Sequence, residues 1–262
     1  MAYRRLFPGL FSLLLILAVA AAGMGCGGRL AGSNTLVTRE MDYSGFTRLA
    51  ISSAFTVDIS RGDSYRVSIT ADDNLIPYLN VYQPGNTLHI GLKPGATYLR
   101  TTQRAVIVMP DLEGLDISGG SSGKVSGFRV SRPLEIESSG ASSLTLDNIA
   151  AGNTRVEVSG ASGVAGIIDT ADAAFEVTGA SNVVLSGSAQ HLDIEVSGSS
   201  QLDLSRLPAG DVAVLLSGAA KVVINTDGRL DGELSGTSWL EFAGSPVLGD
   251  IIIGGGARLS RA

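Results

Sequence analysis

Cysteine is almost absent from this chain of 262 residues, which contains a single one, Cys26. One cysteine excludes a disulfide within the chain, so the fold must be stabilised by its apolar core alone. Histidine is nearly as scarce, because His89 and His191 are the only two and lie far apart in the sequence. The chain also lacks a phosphate-binding loop and a dinucleotide-binding glycine pattern. We therefore expect no catalytic residues.

Basic residues are fewer than acidic residues in this chain. The chain has 19 Lys and Arg residues against 25 Asp and Glu residues, which gives a formal net charge of −6. It contains no long basic run of the kind that neutralises phosphate groups. Nucleic acid is therefore excluded as an expected partner.

The amino-terminal residues have the order of a secretory signal. Arg4 and Arg5 precede an apolar run over residues 6–22, and small residues then lead to Cys26. This order predicts a signal peptide over residues 1–25. A cysteine directly after the apolar run resembles a bacterial lipobox, in which the Cys26 thiol takes a diacylglycerol.

This interpretation makes residues 26–34 a lipidated cysteine with a short, glycine-rich tether. The expected partner is then a membrane, held through the lipid anchor. The expected location is the cell envelope, at the outer membrane or the cell surface. The alternative is an ordinary signal peptide cut near Gly25, which leaves a free thiol.

Residues 35–113 are strand-like but irregular. Phe55, Val57 and Ile59 alternate with polar residues, and a short apolar run ends at Pro110. Glycine, proline and asparagine pairs mark turns between such segments. We predict a less regular β N-terminal part of the domain here.

Residues 114–262 contain a four-residue cassette of small residues around a glycine, of which Ser159-Gly160-Ala161-Ser162 is one copy. The glycines of its eight copies, separated by 18 to 21 residues, are Gly119, Gly140, Gly160, Gly179, Gly198, Gly218, Gly236 and Gly255. Apolar residues recur two and four positions before each glycine, and four and six positions after it. Each copy therefore predicts two short strands that meet at a tight corner.

A single repeat has nothing against which to bury its apolar face. Stacking the repeats in register buries a continuous core and pairs each strand with its neighbours in the stack. The sequence therefore predicts an all-β parallel β-helix, or solenoid, of about eight rungs with 19–20 residues each.

An acidic column accompanies the repeats, three positions before the cassette glycine. Its first five members are consecutive: Asp116, Glu137, Glu157, Glu176 and Glu195. Alternation places them on the outside of the solenoid. One interpretation is a solvated face that prevents sheets from associating. The other is a metal site, a ladder of carboxylates that binds calcium between successive rungs.

The sequence resembles the putative auto-transporter adhesin, head GIN domain family of bacterial surface lipoproteins. The stretches that carry the resemblance are Gly-Phe-Thr-Arg-Leu at 45–49, Phe-Thr-Val-Asp-Ile at 55–59, Ala-Asp-Asp-Asn-Leu at 71–75, Asn-Thr-Leu-His-Ile-Gly-Leu at 86–92, Ala-Val-Ile-Val-Met-Pro-Asp-Leu at 105–112 and the Ser-Gly-Ala-Ser repeats. The likeness covers residues 37 to 255. It implies a β-helical fold and a surface location, and it implies no catalytic residues.

These observations predict a non-enzymatic envelope lipoprotein that presents a rigid β-helix as an adhesin-like or scaffold binding module. A surface glycan or a protein is the expected ligand. The alternative is a lyase or glycosidase that acts on surface polysaccharide, because β-helices also support such enzymes. The regular repeat argues against it, since a catalytic cleft needs irregular loops and no cassette interval exceeds 21 residues.

Overall fold

The computed structural model describes residues 28–262, so the predicted signal peptide and Cys26 lie outside the described residues. These described residues are mostly strand, with one 3-10 helix at Asp73–Tyr78. The N-terminal strands are β1 (Arg29–Ala31), β2 (Leu36–Met41), β3 (Arg48–Ile51), β4 (Thr56–Arg61), β5 (Arg66–Asp72), β6 (Leu79–Tyr82), β7 (Thr87–Leu92), β8 (Thr97–Leu99) and β9 (Gln103–Met109).

The repeat region supplies sixteen further strands. They are β10 (Gly114–Ile117), β11 (Ser122–Ser126), β12 (Leu134–Ser138), β13 (Ser143–Ala150), β14 (Thr154–Val158), β15 (Gly163–Asp169), β16 (Asp172–Val177), β17 (Asn182–Ser188), β18 (His191–Val196), β19 (Gln201–Ala209), β20 (Asp211–Leu216), β21 (Lys221–Thr226), β22 (Arg229–Leu234), β23 (Trp239–Ala243), β24 (Val247–Ile253) and β25 (Arg258–Arg261).

Two long sheets form the walls of the molecule. Sheet 1 has the order β24-β22-β20-β18-β16-β14-β12-β10-β3-β7-β6, and sheet 2 has the order β2-β5-β9-β4-β11-β13-β15-β17-β19-β21-β23-β25. Neighbouring strands from β10 and β11 onward are parallel. Eight strand pairs, from β10–β11 to β24–β25, follow one another, so the chain completes seven turns between the first and the last. The predicted all-β parallel solenoid is confirmed.

The core consists of columns of apolar side chains that stack from rung to rung. Val156, Phe175 and Ile194 are register partners on successive strands of sheet 1, and each is at most 3% exposed. In sheet 2, Val183 and Leu202 stack in the same way and are also buried. Period-two alternation in the sequence thus corresponds to alternation between the core and the solvent.

The cassettes form the corners between the two sheets. All eight cassette glycines have positive φ angles, between 62° and 80°. The residue after the glycine donates its N–H to the glycine carbonyl one rung away, as in Ser199 to Gly179 at 2.8 Å. The last cassette serine points inward, and Ser162 and Ser200 are at most 2% exposed. The small residues therefore allow each corner to lie directly on its neighbour.

The N-terminal part continues the same two sheets. β3 lies beside β10 and β4 beside β11, while β7 and β9 add one further strand to each sheet, all in parallel. The antiparallel strands β5, β2 and β6 then cover this end. Two additional rungs thus lie next to the first repeat and share its core. Their strands do not follow one another in the order of the chain.

A buried carboxylate fixes the beginning of the described chain against this end. Asp72 is 0% exposed and accepts N–H hydrogen bonds from Asn34 and Thr102, both at 2.7 Å. A buried carboxylate is tolerated only when such donors satisfy its oxygens. The first described residues are therefore held at the end that β2, β5 and β6 cover.

Candidate functional site

The acidic column lies on the outer face of sheet 1, as the sequence predicts. Asp116, Glu137, Glu157, Glu176 and Glu195 are register partners on β10, β12, β14, β16 and β18. Strand spacing places successive members about 4.8 Å apart along the solenoid axis. Leu215 of β20 interrupts the run of carboxylates, so the five consecutive members occupy one half of the face.

One arginine pairs with carboxylates of this column, and a second pairs with a carboxylate beside it. Arg155 binds Glu157 on its own strand and Glu176 on the next, the latter at 3.0 Å. Arg48 of β3 binds Glu135, two strands away, at 2.5 Å. It can reach that far because Gly114 stands between them and has no side chain. Arg155 thereby partly neutralises Glu157 and Glu176, whereas Asp116, Glu137 and Glu195 have no ion-pair partner among the described residues.

Burial and like charge disfavour ionisation of the Asp116 and Glu137 carboxyl groups. Burial raises the pKa of Asp116, and nearby His89 opposes this effect in part. Burial also raises the pKa of Glu137, and the charges of Asp116 and Glu157 add to it. One carboxylate oxygen of Asp116, Oδ1, is buried without a hydrogen-bond partner among the described residues. This part of the face therefore favours a cationic or hydrogen-bond-donating group.

The raised pKa of Glu137 predicts a pH-dependent gain from neutralising it. The folded state binds the Glu137 proton more tightly than the unfolded state, so ionisation costs stability as pH rises above the ordinary carboxyl pKa. We expect Glu137→Gln to raise the melting temperature at pH 7 and to change it little at pH 4, as measured by circular dichroism.

The control is Glu233→Gln in the same column, because Glu233 lies between Leu215 and Ile252 and has no acidic register partner. An equal gain at pH 7 from both variants would mean that the neighbouring carboxylates play no part.

Three concavities follow one another along this face. The largest, about 400 Å³, lies over the beginnings of β12, β14, β16 and β18, where Ala173 and Ala174 leave a depression. A second, about 180 Å³, lies between Arg48, Arg155 and the upper acidic residues. A third, about 220 Å³, lies between Tyr82, His89 and Asp116. The first two concavities share Glu135 and Arg155, and the last two share Asp116, so the three adjoin one another on sheet 1.

The two histidines, which the sequence leaves isolated, both lie on this surface. His89 occupies the same column as the carboxylates, one strand beyond Ala50, and its ring stacks on Tyr82 at 4.6 Å between centroids. His191 Nδ1 lies 2.8 Å from Asp172 Oδ1, at the rim of the largest concavity. Sequence reasoning missed Arg48, Tyr82 and His89, because the strands that carry them join the sheet out of chain order.

The carboxylates do not form a metal site of the usual kind. Among residues 28–262, no three or more His, Cys, Asp or Glu side chains are placed to hold a metal ion. Calcium prefers six to eight oxygen ligands, and a stacked pair of carboxylates supplies at most four. A calcium ladder therefore stays a prediction, and Asp116 with Glu137 is the pair that would benefit most from it.

Calcium binding at this pair has a direct test. Occupancy at ten times the dissociation constant stabilises the folded state by about 1.4 kcal/mol, or a rise of about 4 °C in melting temperature. We expect millimolar calcium to raise the melting temperature beyond sodium at the same ionic strength. The combined change Asp116→Asn and Glu137→Gln should remove the difference. No difference in the unchanged protein would leave the column a solvated face.

Solved structures with the same architecture were found by comparison. A "putative adhesin" from Parabacteroides distasonis superposes with a TM-score of 0.83 at 18% identity, over 89% of this chain and 100% of that one. A "putative lipid binding protein" from the same organism gives 0.80 at 17%, over 89% and 99%. A "putative adhesin" from Parabacteroides merdae gives 0.80 at 16%, over 90% and 99%. At these identities the likeness establishes the fold.

A family model covers most of the described chain. The model described as "Putative auto-transporter adhesin, head GIN domain" matches residues 45–246, which include both the N-terminal rungs and most of the repeats. No curated protein sequence matches the chain. Within the described residues, no helix combines the length and apolarity that a membrane span requires. The chain belongs to the putative auto-transporter adhesin, head GIN domain family, whose description indicates an adhesin-like protein of the cell surface.

Proposed function

We propose that this protein is a non-enzymatic cell-envelope lipoprotein that presents its solenoid as an adhesin-like binding module. The observation that carries the proposal is the outer face of sheet 1, where three adjoining concavities lie on a scaffold with a continuous buried core. Binding sites on rigid strands are held in place without a cost in ordering the protein. The family described as adhesins supports the same role.

The ligand class follows from the chemistry of the face. Carboxylates at Glu135 and Asp193, the guanidinium of Arg155 and the His191–Asp172 pair surround the largest concavity. Such groups accept and donate hydrogen bonds in the pattern that sugar hydroxyls or polar peptide groups can satisfy. We therefore propose a surface glycan or a protein segment as the ligand.

Glycan-array binding tests this assignment. The exported protein should bind a limited set of glycans, and Asp193→Ala and Arg155→Ala should each weaken that binding about tenfold. A matched control is Gln201→Ala, because Gln201 is exposed on sheet 2. If Gln201→Ala weakens binding as much as the other two variants, the ligand does not occupy sheet 1.

The lipid anchor at Cys26 has a separate test. We expect Cys26→Ala to move the protein from the membrane fraction to the soluble fraction, because a diacylglycerol is the proposed attachment. The measurement is fractionation with metabolic labelling by radioactive palmitate. A wild-type protein that is already soluble and unlabelled would contradict the anchor. That result would not bear on the proposal that sheet 1 binds a ligand.

One observation favours a second candidate, a lyase or glycosidase on the same face. Asp116 and Glu137 are neighbouring carboxyl groups with raised pKa values, the property of a general acid. Release of reducing ends or unsaturated sugars from a bound polysaccharide, abolished by Glu137→Gln, would establish this function in place of the first.

A further inference from the structure

The two ends of the solenoid differ in how the core is covered. At the N-terminal end, antiparallel strands cover the first rungs, and Leu88 and Ile107 are 0% exposed. At the other end, β24 and β25 are the last strands of their sheets. No strand among the described residues pairs with their outer edges.

The core is open at the β24–β25 end. Leu230 and Leu234 of β22 are 0% and 1% exposed, whereas their register partners on β24, Leu248 and Ile253, are 51% and 49% exposed. Ile252, on the outer side of β24, is 62% exposed. End repeats of solenoids need a polar cap to remain soluble, and bare strand edges pair readily with other strands. Such a surface is suited to pairing with further strands.

We infer that a second copy of this chain occupies this surface and packs end to end on the β24–β25 turn. A two-fold axis through Gly255, in the corner between the two strands, brings β24 of each copy beside β25 of the other. Because β24 runs toward the corner and β25 runs away from it, the paired strands are antiparallel on both sides. This holds for any angle between the two strands. Both edges of each copy are thus paired at once, and the contact closes on two copies because the opposite end is covered.

Side-chain chemistry agrees with this crossed pairing. Residues at equal distances from the corner face one another, so Ile251 meets Leu259 of the second copy in the core. On the outer surface, Asp250 lies 3.5 Å from Arg229 of its own chain and its side chain is 97% exposed. In the crossed pairing it lies opposite Ser260 of the second copy, two residues along the strand from Arg258. The competing arrangement, β24 beside β24, brings the two Asp250 carboxylates together at the strand centre, which is unfavourable. Charge therefore selects the crossed form.

The size of the end predicts a weak dimer. A seven-residue strand is about 23 Å long, and two packed sheets with their side chains are about 20 Å thick. Each copy then buries about 450 Å², or about 900 Å² in total, which is below the range of stable interfaces. We therefore expect a weak dimer whose population depends on protein concentration.

Sedimentation velocity of the exported protein with Cys26→Ala, from 1 to 200 µM, tests this contact without dependence on the anchor. The protein should pass from monomer to dimer, and Ile252→Lys should weaken the dimer at least tenfold. The control is Ile167→Lys, because Ile167 is similarly exposed, at 45%, but lies in the middle of the solenoid. A monomer at 200 µM, or equal weakening by both lysines, overturns the inference.

Exchanging the two charges gives a second test. An unfolded variant would not regain the dimer when a second substitution is added. Arg258→Asp should weaken the dimer, and Asp250→Arg combined with Arg258→Asp should restore it. If the double variant is weaker than Arg258→Asp alone, the crossed pairing is wrong.

If the proposed anchor is correct, the two anchors of such a pair lie at its far ends. Ten strands of sheet 1, from β7 to β24, span about 43 Å, so two copies span about 90 Å. Beads that carry the protein through its N-terminal end should aggregate, and beads that carry Ile252→Lys should not. If the protein forms a dimer in solution but the beads do not aggregate, the end-to-end contact stands. The contact would then not join two surfaces that carry the protein.

Discussion

Ile194→Asp is expected to leave the protein unfolded at 25 °C. Ile194 is 0% exposed and stacks between Phe175 and Val214 in the core column of sheet 1. Loss of the side chain and burial of a carboxyl group without a partner together cost about 5 kcal/mol or more. That cost is comparable to the whole stability of many domains. Val177→Asp should have the same effect, because Val177 is also 0% exposed.

The matched changes lie on the outer side of neighbouring rungs. Asn182 and Gln201 are exposed at the start of β17 and β19. Replacing either with Asp should change the free energy of unfolding by no more than about 0.5 kcal/mol. Urea unfolding of the four variants separates the two sets. Equal damage at inner and outer positions would contradict the assignment of the core face.

Gly198→Ala is expected to destabilise the protein by about 3 kcal/mol. Gly198 has a φ of +73°, and a Cβ atom there would lie 2.4 Å from the carbonyl oxygen of Gly179 on the preceding rung. The alanine therefore adds the strain of a left-handed backbone to a collision with a corner that carries a ladder hydrogen bond. Unfolding in urea measures the loss.

Gly120, which follows the cassette glycine Gly119, allows the backbone strain to be measured without the collision. Gly120 has a similar φ of +75°, but a Cβ atom there meets nothing within 4 Å. Gly120→Ala should cost only about 1 kcal/mol, the strain alone. If the two alanines cost the same, close stacking of the corners is not what requires glycine at position 198.

The repeat region could be predicted from sequence because one local pattern repeats with its environment. Each cassette meets another cassette, so the alternation that places Phe175 and Ile194 inside also fixes their register. The same logic places the acidic column on the outside. The inference requires only that neighbours in sequence, one period apart, are neighbours in space.

The N-terminal rungs could not be predicted in this way. Their strands pair across chain order, since β10 lies beside β3 and not beside β9. The corner between β3 and β4 also lacks glycine. Ser53 and Ala54 adopt its positive φ angles instead, and the Gln103 side chain donates to both of their carbonyl oxygens. Nothing in the local sequence marks that corner.

The same reason limits what the sequence indicates about the site. Arg48 and His89 reach the acidic column from β3 and β7, so the partner of Glu135 and the neighbour of Asp116 depend on long-range pairing. The concavity above Ala173 likewise depends on which long side chains flank two alanines. Periodicity predicts the column, and only the assembled sheet provides the cavities beside it.

The central claim is that sheet 1 binds its ligand and leaves it chemically unchanged. The most direct measurement incubates the exported protein with a ligand that it binds on the array, at tenfold molar excess of ligand, and follows the ligand by mass spectrometry. The account predicts one ligand bound per binding face and full recovery of intact ligand after a day. Conversion of more than one equivalent of ligand per protein, lost in Glu137→Gln, would contradict it.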